Sequence, residues 1–296
     1  MHPDLDSPYD LREDATRRLD GDGYIRLRRV LSPAAVARYE PTITEQVIER
    51  NVMHLPLAER DTYNKAFLQV TNLWRHSPAV RELVFSRRLA LLAATLLGVD
   101  GVRLYADQAL YKEPGGGFTP WHADQYYWPF SSDRTITVWL PLQDTPIELG
   151  SLEFARGSHR FVYGRNLPIS DESEAALQRV ISAQGFPVDE APYALGDASF
   201  HLGWTFHRAG QNLSAVPRRV MTVIYIDADI TISEPTNDAQ RNDLAICMPG
   251  AQVGDVPDTE LNPVLYRHSG NGRSAATGPA ARAVRRGQSA RCGAAR

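Results

Sequence analysis

The texture of apolar and polar positions changes once along this chain. Up to about residue 100 it reads as helical. Ser32-Pro33 pairs a capping serine with a proline at the first helical position, opening a helix through about Glu49. Pro78–Phe85 and Arg87–Leu97 repeat the pattern, and Gly98 supplies a stop. From Val102 onward short segments rich in β-branched and aromatic residues alternate with turns. These are Val102–Lys112, Thr119–Gln125, Thr135–Leu142, Ser151–Phe154, Tyr193–Leu195, Ala198–Leu202 and Arg219–Ile226. Ser170–Ala183 interrupts them with one more helical stretch. Strands at this spacing predict a mainly β fold, a sandwich or barrel, with helices flanking it.

Length and composition narrow the class. A chain of 296 residues supports one sizeable core, and 43% hydrophobic with 23% charged residues is ordinary for a globular protein. The expected organisation is a single domain over 1–268, helical to about 100 with a barrel core over about 101–230. Residues 269–296 hold six arginines, no acid and no large apolar residue but Val284, so a disordered basic tail is expected there. A formal net charge of −3 gives no general attraction to nucleic acid or an anionic membrane. No apolar run approaches the ~18 residues of a membrane span. The acidic N-terminus has no apolar secretory core, and the two cysteines, Cys247 and Cys292, make no disulfide framework; a cytoplasmic location is expected.

The chemistry gathers in two segments. Thr119-Pro120-Trp121-His122-Ala123-Asp124-Gln125 contains a His-x-Asp triplet, and on a strand residues i and i+2 share a face. A second triplet, His2-Pro3-Asp4, lies at the chain end and is read as chance. Further on, His201 and His207 are both candidates for another imidazole, and Arg218 follows His207 by eleven residues. Two imidazoles and one carboxylate form the donor set of a facial-triad iron(II) site with open coordination positions. Arginine is the side chain best suited to clamp a carboxylate beside it.

In order along the chain, Asp20-Gly21-Asp22-Gly23-Tyr24, Trp121-His122-Ala123-Asp124, Thr137–Leu142, Gly150-Ser151-Leu152, Gly157-Ser158-His159, Gly196-Asp197 and His207 through Pro217-Arg218-Arg219 resemble the blocks of the phytanoyl-CoA dioxygenase family of iron(II)/2-oxoglutarate oxygenases. The resemblance runs from about Asp20 to about Tyr266. It implies a double-stranded β-helix, the jelly-roll or cupin-like barrel. It implies His122, Asp124 and His207 as iron ligands, with His201 outside the set, and Arg218 as the partner of the far carboxylate of 2-oxoglutarate. Dioxygen takes the remaining coordination position. Trp139 and Gln108 fall where family members contact the co-substrate. Some members also use a small hydroxyl residue two positions after the distal histidine; Ala209 stands there, so that hydrogen bond must be absent or replaced. Relatives that halogenate carry alanine or glycine at the carboxylate position, so Asp124 points away from halogenation. Tyr126, Trp128 and Trp204 are expected to line the substrate pocket. With no cluster of basic residues to hold phosphates, a small organic metabolite is expected over an acyl-CoA thioester, with C–H hydroxylation or a related cyclisation or desaturation as the outcome.

Overall fold

The computed structural model describes residues 2–268; the stretch 269–296, expected to be a disordered tail, lies outside the described residues. Helices lead, as the sequence predicts: α1 (Ala15–Asp22), α2 (Pro33–Arg50), α3 (Thr62–Ala66), α4 (Pro78–Val84) and α5 (Arg87–Leu97). Their starts follow side-chain chemistry. Ser32, Ser77 and Ser86 each accept a backbone N–H from the first turn of α2, α4 and α5, satisfying a donor the helix leaves open. Gly98 closes α5 in the left-handed region, with its N–H on the last carbonyls.

Among the described residues eleven strands follow or interleave: β1 (Tyr24–Leu27), β2 (Leu68–Thr71), β3 (Gly101–Tyr111), β4 (Thr119–His122), β5 (Thr135–Pro141), β6 (Leu152–Ala155), β7 (Val188–Glu190), β8 (Ala198–Leu202), β9 (His207–Ala209), β10 (Val220–Asp227) and β11 (Val264–Arg267). The larger sheet runs β1-β8-β5-β10-β3-β11, with β2 paired to the far half of β3; the smaller runs β4-β9-β6-β7. All pairs are antiparallel, and the two sheets form the jelly-roll expected. The helices cover the outer face of the larger sheet. α5 buries Leu89, Leu92 and Leu96 with three alanines against it, and each buried leucine contributes roughly 1.5–3 kcal/mol. The inner faces of both sheets are left to enclose a cavity.

Several elements differ from expectation. The opening block spans two elements: Asp20–Asp22 end α1, Gly23 turns the chain at φ +83°, and β1 begins at Tyr24 within the stretch read as helical. Of Tyr193–Leu195, only Tyr193 makes a bridge, to Thr145. β4 stops at His122, where Thr119–Gln125 was expected to continue. Ala123 is extended, and Asp124–Tyr127 form a 3-10 turn. The helix expected over Ser170–Ala183 is α6 (Asp171–Gln184), and α7 (Asp238–Cys247) was not anticipated. Among the described residues no helix is long and apolar enough to cross a membrane.

Candidate active site

Position in the jelly-roll builds the site. β4 and β9 are neighbours in the smaller sheet, and their register sets His122 directly opposite His207. The ring centroids lie 4.2 Å apart. Each imidazole is oriented from behind. Nδ1–H of His122 donates to the Pro120 carbonyl at 2.7 Å, and that of His207 to the Thr205 carbonyl at 3.0 Å. A carbonyl can only accept, so both rings turn a bare Nε2 lone pair toward the cavity. Burial, reinforced by neighbouring His122, holds His207 neutral, well below the usual histidine range.

Asp124 divides its two oxygens. Oδ1 faces the Nε2 atoms of His122 and His207, each at 3.6 Å. Oδ2 receives Nε2–H of His201 and the Thr137 hydroxyl, both at 3.1 Å. Burial alone would raise this carboxyl, but the surrounding His207, His122 and His201 imidazoles outweigh it and hold Asp124 well below the usual carboxylate range. One donor atom each from His122, Asp124 and His207 lies within 4.8 Å of the others, a set able to hold one divalent ion with an open face. His201, on β8 of the opposite sheet, stands behind the carboxylate and orients it.

The surroundings explain the sequence blocks. Gly157-Ser158-His159 locks onto the opening turn: Gly157 N–H donates to the Asp22 carbonyl at 2.8 Å, and Ser158 Oγ accepts Phe206 N–H at 2.9 Å, one residue before His207. A side chain at Gly23 would overlap His159 and Thr205, so that turn needs glycine twice over. α6 braces β4 from outside. Glu174 accepts the Trp121 backbone N–H at 2.8 Å, and the indole N–H reaches Gln178 at 3.0 Å.

Deeper in the cavity lies Arg218, 2% exposed, its Cζ 5.5 Å from the centre of the Trp139 ring. One nitrogen donates to the Gly150 carbonyl at 2.6 Å, while the buried Nε has no partner. Among the described residues no carboxylate pairs with it. Burial lowers it to about 10, opposed only by Tyr193. Next to it, Lys112 is fully buried; burial and then Arg218 push its ammonium well below the ordinary lysine value. Its Nζ donates to the Gly117 carbonyl and, at 3.4 Å, to the Thr119 hydroxyl. Among the described residues no acid pairs with either of these buried basic groups, and the guanidinium fits an anionic ligand. Thr119 stands directly across β4–β9 from Ala209, and both line the cavity.

The cavity holds about 440 Å³. Gln108, Trp139 and Trp128 line it; Tyr126 and Trp204 do not. The correction at Tyr126 has a simple cause. Strand alternation would place it beside Asp124, but in a 3-10 turn residues i and i+3 eclipse, so Tyr127 takes that face. Tyr126 is held from behind, its carbonyl receiving the Gln240 amide at 3.0 Å. Trp204 packs outside, under the Arg165 guanidinium 4.5 Å from its ring centre. The sequence reading missed the outer wall: Tyr63, Phe67 and Gln69 from α3–β2, and Asn242, Asp243 and Cys247 from α7. The capping Asn237 before Asp238–Cys247 was the available signal for α7.

An antiparallel jelly-roll bearing this donor set on its inner face defines the class of iron(II)/2-oxoglutarate oxygenases. The chain belongs to the phytanoyl-CoA dioxygenase family, whose sequence profile matches residues 19–220. It is 25% identical over 221 residues, 70% of this chain and 76% of the relative, to a probable alpha-ketoglutarate-dependent hypophosphite dioxygenase of Stutzerimonas stutzeri. Among solved structures it resembles the alpha-ketoglutarate-dependent carbocyclase SnoK from nogalamycin biosynthesis, with a TM-score of 0.71 and 26% identity over 87% of this chain and 99% of that one. The epimerase SnoN, solved with Fe3+, alpha-ketoglutarate and nogalamycin RO, gives a TM-score of 0.70 and 28% identity over 86% of this chain and 98% of that one. The protein is accordingly an iron(II)- and 2-oxoglutarate-dependent dioxygenase.

Proposed function

We propose that His122, Asp124 and His207 hold the iron, that Arg218 receives the far carboxylate of 2-oxoglutarate, and that the enzyme oxidises a C–H bond of a small organic metabolite by hydroxylation or a related cyclisation, epimerisation or desaturation. The observation that carries this is the pairing of an open-faced donor set with a buried arginine that no acid among the described residues neutralises. A residue buried only for structure would be matched by a carboxylate; this one fits a ligand's. When bound, iron, 2-oxoglutarate and dioxygen supply the oxidising power, and the co-substrate leaves as succinate and carbon dioxide.

The chain's own residues position and exclude. The Pro120 and Thr205 carbonyls fix which ring nitrogen carries the hydrogen and aim the two imidazoles. His201 and Thr137 hold one Asp124 oxygen so that the other faces the metal position. Lys112 donates to Thr119, which leaves the Thr119 hydroxyl hydrogen for the co-substrate carboxylate, in place of the hydroxyl that Ala209 lacks. Trp139 walls the Arg218 end, and Trp128 and Tyr127 narrow the outer chamber against water. Arg218 is the single lysine or arginine among the described cavity-lining residues, which favours a small metabolite over a phosphate-bearing CoA thioester. Succinate formed from 2-oxoglutarate with Fe(II) and oxygen tests the reading. No succinate from well-folded, iron-loaded protein would refute it.

A further inference from the structure

The cavity is bipolar. Arg218 and its hidden neighbour Lys112 make one end positive. The outer wall carries a lone acid, Asp243, on α7. It accepts a hydrogen bond from the Tyr105 hydroxyl, 2.6 Å from Oδ2. Among the described residues no lysine, arginine or histidine pairs with it. Asp243 is only half-buried and lines the cavity, so the carboxylate remains open to an occupant. Rings stand around it. Tyr105, Tyr63, Phe67, Tyr127 and Trp128 line the same chamber, and Tyr105 meets Trp128 edge-on at 5.6 Å. An acid among aromatic faces is the surrounding that a desolvated organic cation prefers.

We propose that Asp243 is a specificity-determining residue that anchors a protonated amine of the substrate, so that the enzyme acts on a small ring-bearing amine held between α7 and the metal position. The inference rests on the oxygenase reading above and deepens it. Three further observations support it. The Asp124 carboxylate is committed to the histidines and Thr137, which leaves Asp243 as the acid free to meet a ligand. Asp243 and Asp124 line one cavity together with Tyr63, so one small molecule can lie between the two carboxylates. And α7 lies beyond residues 19–220, the stretch that the family profile matches.

A structural role for Asp243, pinning α7 to β3 through Tyr105, accounts for one oxygen and predicts no preference for cations. The two roles separate in one experiment. Wild-type, Asp243→Asn and Tyr105→Phe proteins are loaded with Fe(II) and 2-oxoglutarate under nitrogen. They are then titrated calorimetrically with two matched pairs, tryptamine against tryptophol and phenethylamine against phenethyl alcohol. Wild type should bind each amine at least about tenfold tighter than its alcohol. Asp243→Asn keeps an acceptor for Tyr105 but no charge, and should level each pair to within about twofold. Tyr105→Phe frees α7 from that hydrogen bond but keeps the carboxylate, and should retain the preference. Equal binding of amine and alcohol by wild type, failure of both amines to bind, or a preference that survives in Asp243→Asn would overturn the proposal. Succinate formed by wild type without any probe is measured in parallel. Its absence refutes the oxygenase reading, whereas its presence without amine preference refutes only the role of Asp243.

Discussion

Replacing Arg218 by methionine should move two measurements in opposite directions. Burial lowers the guanidinium from its ordinary value to about 10. At about 1.4 kcal/mol per pH unit, the charged form carries a cost on the order of 3 kcal/mol in the folded, co-substrate-free protein. Methionine keeps the aliphatic stem and removes the charge. It also leaves the Gly150 carbonyl without its donor, which costs about 1–3 kcal/mol. The two terms nearly offset, so the iron-loaded variant without 2-oxoglutarate should melt at the wild-type temperature or a few degrees above it. Adding 2-oxoglutarate at about a hundred times its Kd should stabilise wild type by about 2.7 kcal/mol, which for a domain of this size is about 5–10 °C. Arg218→Met should lose that shift. Its apparent KM for 2-oxoglutarate should rise at least about a hundredfold, because removing one partner of a buried charge pair costs about 3–5 kcal/mol. Differential scanning fluorimetry with and without co-substrate, together with succinate kinetics, reads both. An arginine serving only the fold gives the reverse pattern. A variant that melts more than about 5 °C lower yet keeps the 2-oxoglutarate shift would refute the reasoning.

Asp124→Ala should abolish turnover and weaken Fe(II) binding steeply, and wild type in chloride buffer should yield no chlorinated product; chlorination by the wild-type enzyme would contradict the place given to Asp124. His201→Phe removes the N–H on Asp124 Oδ2 and should lower Fe(II) affinity about 10–100-fold with little change in KM for 2-oxoglutarate; loss as complete as in His207→Ala would make His201 a ligand. Gly150 sits at φ +80°, and an added Cβ would overlap the Gly210 carbonyl, so Gly150→Ala should displace the acceptor of Arg218, lowering Tm by several degrees and weakening 2-oxoglutarate binding together. Asp107, fully buried beneath the 72–76 turn, is raised to about 7 by burial against its hydrogen bonds from Trp74 and Leu73. Its folded pKa lies above the unfolded one, so the folded state holds the extra proton and this contribution is lost as pH rises from about 4 through 7. Asp107→Asn should flatten the pH dependence of Tm between about pH 5 and 7, and an unchanged slope in that variant would count against it.

What the chain determined by itself was the chemistry and the broad architecture. Serine-proline and serine caps marked α2, α4 and α5, because capping is decided within one turn. The change to β-branched and aromatic segments marked the sheets. His122, Asp124, His207 and Arg218 were legible as residue types in ordered blocks, and the chain brings all four to one cavity. What only the tertiary structure decided was how those residues are held and what faces them. Alternation assigned Tyr126 to the pocket; the chain leaves β4 for a 3-10 turn and presents Tyr127. His201 became a support for Asp124 only because β8 lies in the sheet facing β4. Thr119 came to oppose Ala209, ninety positions away, through the register of β4 and β9. Asp243 joined the outer wall from a helix that follows the central strand β10 in chain order and meets the site only in the fold. Local propensity acts over a few residues, whereas a cavity wall is a sum of segments that meet only when two sheets close. The sequence therefore named the candidate groups, and the closure of the barrel selected their neighbours.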